Sequence, residues 1–205
     1  MRGKLSWTAF LIASLNVGFG HAQDASSSEK VDSVYTQLDL EASCIEYASY
    51  ELGAAFSCPG YAGFGVLFAE EDLRQSVFYG YVGAWFGEGA WESFSGFNTI
   101  SGTIEWRLRD RVPFATIHRW LITPEGGDDS SEKGQVLVVS KVAQPGVGEG
   151  CVVGYVDALE NENANDLARE VADTMAVDFS CRIEEPIFHG NEGVAAGFPV
   201  RTFGP

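Results

Sequence analysis

The sequence predicts an α+β domain: a mostly antiparallel twisted sheet, or a partly closed barrel, with one C-terminal helix packed on it. Short segments of alternating apolar and polar residues, separated by turns rich in Gly and Pro, predict about seven or eight strands. The 14 Phe, 7 Tyr and 5 Trp favour sheet. A single segment has helical periodicity, because Leu167, Val171 and Met175 recur on one face after Asn163, which can cap the helix.

The strands follow from alternation along the chain. Residues 34–40 predict a first strand, whereas residues 44–58 fit either a short helix or two strands. Later strands are predicted at 64–68, 73–81, 102–109, 114–123, 135–142, 151–157 and 177–182. Residues 102–109 and 114–123 are expected to pair as a hairpin. Between the strands, residues 83–96 predict a long loop rich in Gly and aromatic side chains.

The first 22 residues have the three parts of a secretory signal peptide. Arg2 and Lys4 supply the positive charge, residues 5–20 are uncharged and mostly apolar, and residues 20–22 provide the small residues that a signal peptidase recognises. A retained membrane anchor is the alternative, but the apolar stretch is shorter than the ~20 residues that a spanning helix needs. We therefore expect cleavage after Ala22 and a periplasmic or secreted protein without a membrane span.

The chain beyond the signal is expected to divide into three parts. Residues 23–33 are small and polar, which is typical of a flexible leader. Residues 34–185 contain the predicted strands and helix and form one domain. Residues 186–205 are rich in Gly and Pro, and we expect a loosely ordered tail.

An even number of cysteines in an exported chain indicates disulfides. The cysteines are Cys44, Cys58, Cys151 and Cys181. Three connectivities are possible, and proximity in sequence favours Cys44–Cys58 and Cys151–Cys181. A zinc site is the alternative, but close Cys-x-x-Cys pairs are lacking. The acidic loop around Asp128 and Asp129 lacks the spacing of an EF-hand, so we expect no metal.

The strong negative charge of the chain limits its partners. There are 29 Asp and Glu against 13 Lys and Arg, which gives a formal net charge of −16. Nucleic-acid binding depends on neutralising phosphates, so such an acidic chain is a poor candidate for it. We expect the partner to be a protein of the cell envelope, or an anionic or glycan ligand.

No motif for nucleophilic catalysis is present. A Gly-x-Ser-x-Gly elbow is lacking, and the cysteines are expected to be paired. His118 alternates in phase with Phe114, Trp120 and Ile122, so we expect a buried, hydrogen-bonded histidine. We expect no cofactor, and the sequence favours a protein that is not an enzyme.

A cluster of arginines is the main candidate for a binding site. In the predicted hairpin, Arg107 and Arg109 lie on one strand with Glu105, and Arg119 lies on the next. Such an island of positive charge can hold an anionic group through forked hydrogen bonds, or it can simply neutralise neighbouring carboxylates. Trp85 and Trp91 of the aromatic loop can stack on a ligand, or they can fill the end of a barrel.

Several segments together resemble a group of uncharacterised exported proteins of α-proteobacteria. These segments are Tyr-Thr-Gln-Leu-Asp-Leu at 35–40, Cys-Pro-Gly-Tyr at 58–61, Asp-Leu-Arg at 72–74, Thr-Ile-Glu-Trp-Arg at 103–107, Phe-Ala-Thr-Ile-His-Arg-Trp at 114–120 and Asn-Ala-Asn-Asp-Leu-Ala-Arg at 163–169. The resemblance implies a location in the Gram-negative envelope. It implies no activity, so no catalytic residue is carried over.

These observations favour a non-enzymatic binding or interaction module of the cell envelope. The alternative is a hydrolase that cleaves envelope glycans with acidic residues, since a pair of carboxyl groups needs no sequence motif. Two carboxyl groups facing each other across a cleft, one with a raised pKa, would favour the enzyme. Carboxylates paired with arginines would favour the binding module.

Overall fold

The computed structural model of the protein describes residue 3 and residues 30–83, 89–124, 126–127 and 131–203. This part of the chain is rich in strand and contains two helices, which confirms the broad α+β class. The sheets that these described residues form are open and are not closed into a barrel.

Twelve strands and two helices form the described part of the chain. The strands are β1 (Val31–Gln37), β2 (Ile45–Tyr50), β3 (Gly53–Cys58), β4 (Val66–Glu71), β5 (Arg74–Tyr79), β6 (Trp91–Phe94), β7 (Asn98–Arg109), β8 (Val112–Ile122), β9 (Gly134–Lys141), β10 (Val152–Asp157), β11 (Ile187–Phe188) and β12 (Pro199–Thr202). The helices are α1 (Leu40–Ser43) and α2 (Ala164–Met175), and a 3-10 turn spans Val194–Ala196.

The strands form three sheets. A six-stranded sheet has the order β1-β7-β8-β9-β10-β11, a four-stranded sheet has the order β2-β3-β4-β5, and β12 pairs with β6. All pairs are antiparallel except β10 with β11. The four-stranded sheet is thus an insertion in sequence between β1 and β7, the first two neighbours of the larger sheet.

The main core lies between the six-stranded and four-stranded sheets. Ile104, Trp106 and Leu108 share one face of β7, as their alternation predicts, and belong to one buried cluster with Phe68 and Tyr79 of the smaller sheet. Alternation places every second side chain of β7 in this core. The intervening residues of β7 therefore face the other side of the six-stranded sheet.

That other side carries α2. Ala168 and Val171 of the helix are buried in a second cluster with Ile117, Leu137 and Val139 of the six-stranded sheet. Asn163 is the N-cap residue, but its side chain makes no capping hydrogen bond, contrary to the role expected for it.

Both predicted disulfides are present, Cys44–Cys58 and Cys151–Cys181. The first joins the start of β2 to the end of β3, and the second joins the start of β10 to the segment after α2. Disulfides of this kind fit an extracellular or periplasmic protein. Among the described residues, no helix has the length and apolar character needed to cross a membrane. The predicted signal lies outside the described residues, except for residue 3.

The boundaries of the leader differ from the prediction. β1 begins at Val31, so residues 31–33 belong to a strand that pairs with the end of β7. Their polarity has a physical reason, since Ser33 makes hydrogen bonds to charged side chains of the neighbouring strand and does not face the core.

Residues 186–203 of the C-terminal tail pair and pack with the rest of the domain, contrary to the loose order expected for residues 186–205. β12 forms an antiparallel ladder with β6, β11 adds to the edge of β10, and Ala196 is completely buried. Residues 91–94 were expected within a loop, but they form β6 because β12 pairs with them. The strand expected at 177–182 is absent, because Phe179 and Cys181 are buried beside α2 without pairing to a neighbouring strand.

Candidate functional site

The predicted hairpin is formed by β7 and β8, which are joined by a two-residue turn. Asp110 and Arg111 have φ angles of 50° and 68°, as the right-handed twist of a tight hairpin requires. Glu105 and Arg107 on β7, and Arg119 on β8, lie on the side of the sheet that carries α2. The structure divides these side chains into two groups.

The first group holds α2 to the sheet, and we call it the helix clamp: Glu105, Arg107, Arg169 and Asp173. Arg169 donates from Nε and Nη2 to the two oxygens of Glu105, at 2.8 and 3.2 Å. Arg107 donates from Nε and Nη2 to the two oxygens of Asp173. Both pairs are therefore forked, which is the strongest geometry for arginine and a carboxylate.

Element geometry explains why the helix clamp fits. Two residues of a strand span about 6.7 Å, and four residues of a helix span about 6 Å. Glu105 and Arg107 are two apart on β7, and Arg169 and Asp173 are four apart on α2. The two ion pairs can therefore form side by side with little distortion of either element.

The helix clamp keeps Glu105 ionised. Burial raises the pKa of the Glu105 carboxyl, but hydrogen bonds from Arg169 and Ser33 outweigh burial and leave the pKa below its ordinary value. A carboxyl in this state accepts hydrogen bonds and does not donate a proton near neutral pH. Arg109 extends the helix clamp, since its guanidinium stacks on Phe114 at 4.8 Å and donates to the backbone oxygen of Asp173 at 3.3 Å.

The helix clamp is expected to contribute measurably to stability. Replacing Asp173 by asparagine leaves the buried guanidinium of Arg107 without its carboxylate, and we expect a loss of about 1–3 kcal/mol in the free energy of unfolding. Urea unfolding followed by circular dichroism measures this loss. Asp166→Asn is the matched control, because Asp166 pairs with Arg169 on the exposed surface and should change stability little. Equal losses from both variants would contradict the structural role of the helix clamp.

The second group surrounds a shallow cavity beside the first turn of α2, which we call the Arg119 cavity. Its volume is about 140 Å³. Its polar rim consists of Tyr35, Ser101, Thr103, Glu105, Arg119 and Asn165, and Ile117 and Leu137 also line it. Two predicted site residues, Glu105 and Arg119, thus meet in one cavity, whereas Arg107 and Arg109 do not line it.

Arg119 differs from Arg107 in its partners. It donates from Nη1 to the amide oxygen of Gln135 at 2.9 Å, a neutral group. Among the described residues, no carboxylate oxygen lies within 4.0 Å of its guanidinium. Among these residues, the partner of Arg119 is therefore an amide and not a carboxylate.

The two tryptophans do not join this site. Trp91 is half-buried on β6, opposite Thr202 of β12, and does not line the Arg119 cavity. Trp85 lies outside the described residues. Within the described ranges, no three side chains of His, Cys, Asp or Glu form a group that could hold a metal ion. Asp128 and Asp129 also lie outside those ranges.

Sequence reasoning missed a buried contact between a carboxyl group and a guanidinium, between β6 and β12. Glu92 is 2% exposed, and its Oε2 accepts a hydrogen bond from the Val152 amide at 2.8 Å. Arg201 Nη2 lies 3.4 Å from Oε1. Burial raises the pKa of Glu92 to about 8, against the opposing effects of the Val152 hydrogen bond and of Arg201. The only signal in the sequence was a carboxylate between aromatic residues, at 91 and 94.

Searches with the chain match no protein-family model, no curated protein and no solved structure.

Proposed function

We propose that this protein is a non-enzymatic binding module of the cell envelope, and that the Arg119 cavity holds a carboxylate group of its ligand. The observation that carries the proposal is the position of Arg119, which lines a cavity and has only a neutral partner among the described residues. The resemblance to exported α-proteobacterial proteins, the N-terminal signal and the two disulfides support the envelope location.

Because the chain has an excess of acidic residues, an arginine that lines a cavity and has a neutral partner is a candidate for ligand binding. With 29 acidic residues and a net charge of −16, most arginines can find a carboxylate, as Arg107 and Arg169 do. Arg119 faces the same cavity as Glu105, but Arg169 already occupies both oxygens of Glu105. A carboxylate from a ligand would give Arg119 the forked pair that the described residues do not supply.

The size of the cavity indicates what part of a ligand it accepts. At about 140 Å³ it is smaller than the roughly 300–1,000 Å³ of typical pockets for whole ligands. It therefore accepts an end group and leaves the rest of the ligand outside. The hydroxyl groups of Ser101 and Thr103 can serve a polar atom next to the carboxylate. Acidic sugars of envelope glycans have this chemistry.

The alternative, a glycan hydrolase, has less support from the same cavity. General acid catalysis needs a carboxyl with a raised pKa that faces the bond to be broken. Glu105 faces the cavity, but its pKa is lowered and it is held by Arg169. Glu92 has a raised pKa, but it is buried between β6, β12 and β10 and does not line the Arg119 cavity.

Calorimetric titration with N-acetylmuramic acid and with the uncharged N-acetylglucosamine tests the proposal. We expect the acidic sugar to bind to the wild-type protein, and Arg119→Gln to weaken its binding at least about tenfold, since a charge-assisted hydrogen bond contributes roughly 1.5–3 kcal/mol. Arg111→Gln is the matched control, because Arg111 is exposed on the β7–β8 turn and outside the cavity. Equal affinity for both sugars, or unchanged affinity in Arg119→Gln, would contradict the proposal.

A further inference from the structure

Part of the wall of the Arg119 cavity is an irregular stretch of β7. The pairing of β7 with β8 is regular up to Ile100 and again from Ile104 to Arg107, and the register shifts between Ile100 and Ile104. Residues 101–103 therefore form a bulge. The backbone groups of a bulge lose their usual partners in the neighbouring strand, so other groups must satisfy them.

Hydrogen bonds from neighbouring elements hold this bulge. The Leu38 amide donates to the Gly102 oxygen at 2.7 Å, and Gln37 Nε2 donates to the Thr103 hydroxyl at 3.0 Å. Both of these donors lie in or next to the edge strand β1. The third donor is His118 Nε2, which lies 2.6 Å from the backbone oxygen of Ser101. His118 is 1% exposed and approaches the bulge from the core between the two sheets.

The hydrogen bonds of His118 define its tautomer. A backbone oxygen only accepts hydrogen bonds, so Nε2 carries the hydrogen. Nδ1 then accepts from the hydroxyl of Tyr79, which lies 2.7 Å away. The imidazole is thus fixed at both nitrogens, with one bond to β5 of the four-stranded sheet and one to the bulge of β7.

We infer that His118 is a positioning residue for the Arg119 cavity: it holds the Ser101 carbonyl, and so sets where the hydroxyls of Ser101 and Thr103 stand in the cavity wall. The inference rests on the proposed function. Ser101 and Thr103 lie on both the bulge and the cavity rim, and Ser101 Oγ also donates to the Thr103 backbone oxygen at 3.2 Å. Loss of the Nε2 donor leaves the Ser101 carbonyl without its partner in the core, and the bulge shifts.

Two substitutions at this position separate positioning from simple packing. The amide of glutamine reaches about as far as Nε2 and can still donate to Ser101, whereas the amide of asparagine ends near the position of Nδ1. We therefore expect His118→Gln to keep the amide chemical shifts of residues 101–103 close to those of the wild type, and His118→Asn to displace them. Tyr79→Phe removes only the bond to Nδ1, so it is expected to lower stability and leave these shifts unchanged.

Affinity for N-acetylmuramic acid is the second measurement on the same variants. We expect a fivefold or greater loss in His118→Asn, and affinity within about twofold of the wild type in His118→Gln and Tyr79→Phe. The shifts are recorded without ligand, so they test the role of His118 even if the wild-type protein binds no acidic sugar, which would overturn the proposed function. Equal shifts and affinities in His118→Asn and His118→Gln would overturn the positioning role.

A measurement on the unaltered protein covers the case in which the variants do not fold. A scalar coupling across the hydrogen bond from His118 Nε2 to the carbonyl carbon of Ser101 is expected in the wild type. The absence of this coupling, or a tautomer with the hydrogen on Nδ1, would overturn the inference without any substitution.

Discussion

Replacing Trp106 by alanine is expected to lower the free energy of unfolding by about 3–5 kcal/mol, the usual cost of removing a large buried aromatic side chain. The indole of Trp106 is completely buried between the two main sheets. Its ring centroid lies 5.9 Å from that of Tyr79, and Nε1 donates to the Thr36 hydroxyl at 2.8 Å. Gly60 packs so closely on the ring that a Cβ there would lie 2.7 Å from it. The surrounding structure therefore has little freedom to close the cavity.

Guanidinium chloride unfolding followed by far-UV circular dichroism measures this loss without depending on tryptophan fluorescence. Trp106→Phe is the matched control, because it keeps a ring between the sheets and removes the hydrogen bond to Thr36. We expect this control to lose clearly less stability than Trp106→Ala. A loss below about 1 kcal/mol for the alanine variant would show that the two sheets do not pack through Trp106.

Acidification from pH 6.5 to pH 4 is expected to remove about 3 kcal/mol of stability through His118. Burial lowers the pKa of His118 from 6.5 to about 4, against the opposing effect of the hydrogen bond to Ser101. Between these two pKa values the unfolded chain binds the proton and the folded protein does not. Protonation therefore favours unfolding, and the stability that is present above pH 6.5 is lost as the pH falls towards 4.

The titration of Glu92 changes stability with pH in the opposite direction, so its effect must be measured separately from that of His118. Its raised pKa means that its contribution to stability is present below pH 4.5 and is lost as the pH rises through about 8. Urea unfolding from pH 4 to pH 8 is therefore compared among the wild type, His118→Gln and Glu92→Gln. In the wild type the two effects oppose each other over this range. We therefore expect the loss of stability below pH 6.5 to be clear in Glu92→Gln and to be missing in His118→Gln. A loss of the same size in that variant would contradict a neutral, buried His118.

The elements with regular local patterns were predictable from the sequence. The alternation of Ile104, Trp106 and Leu108 identified the face of β7 that packs in the core, and the spacing of Leu167 and Val171 identified α2. The pairing of the cysteines followed from their proximity. In each case, the interaction that orders the element involves residues close in sequence or repeats with a fixed period.

The order of the C-terminal tail was not predictable in this way. Composition suggested a loose segment, because Gly and Pro are frequent there, but β12 pairs with β6 about a hundred residues earlier in the chain. A ladder between such distant segments produces no local periodicity in the sequence. The buried pair of Glu92 and Arg201 forms across this ladder, so it was not predictable from local patterns either.

The candidate site was predictable as a cluster of residues but not in its division of roles. The sequence places Arg107, Arg109 and Arg119 in one hairpin, and from the sequence each of them is an equally good candidate for binding an anion. The distinction arises from α2, whose Asp173 and Arg169 lie more than sixty residues from their partners on β7. Only the packing of the helix shows that Arg107 pairs with Asp173, whereas the partner of Arg119 among the described residues is the neutral amide of Gln135.

The most direct test of binding at the Arg119 cavity is a map of amide chemical-shift changes in the isotopically labelled protein during titration with N-acetylmuramic acid. We predict changes that saturate and are concentrated at Tyr35, Ser101, Thr103 and Arg119, with no such changes for N-acetylglucosamine. Saturating changes located elsewhere on the protein would contradict the assignment of the site. The absence of any change with the acidic sugar would contradict a carboxylate-binding cavity.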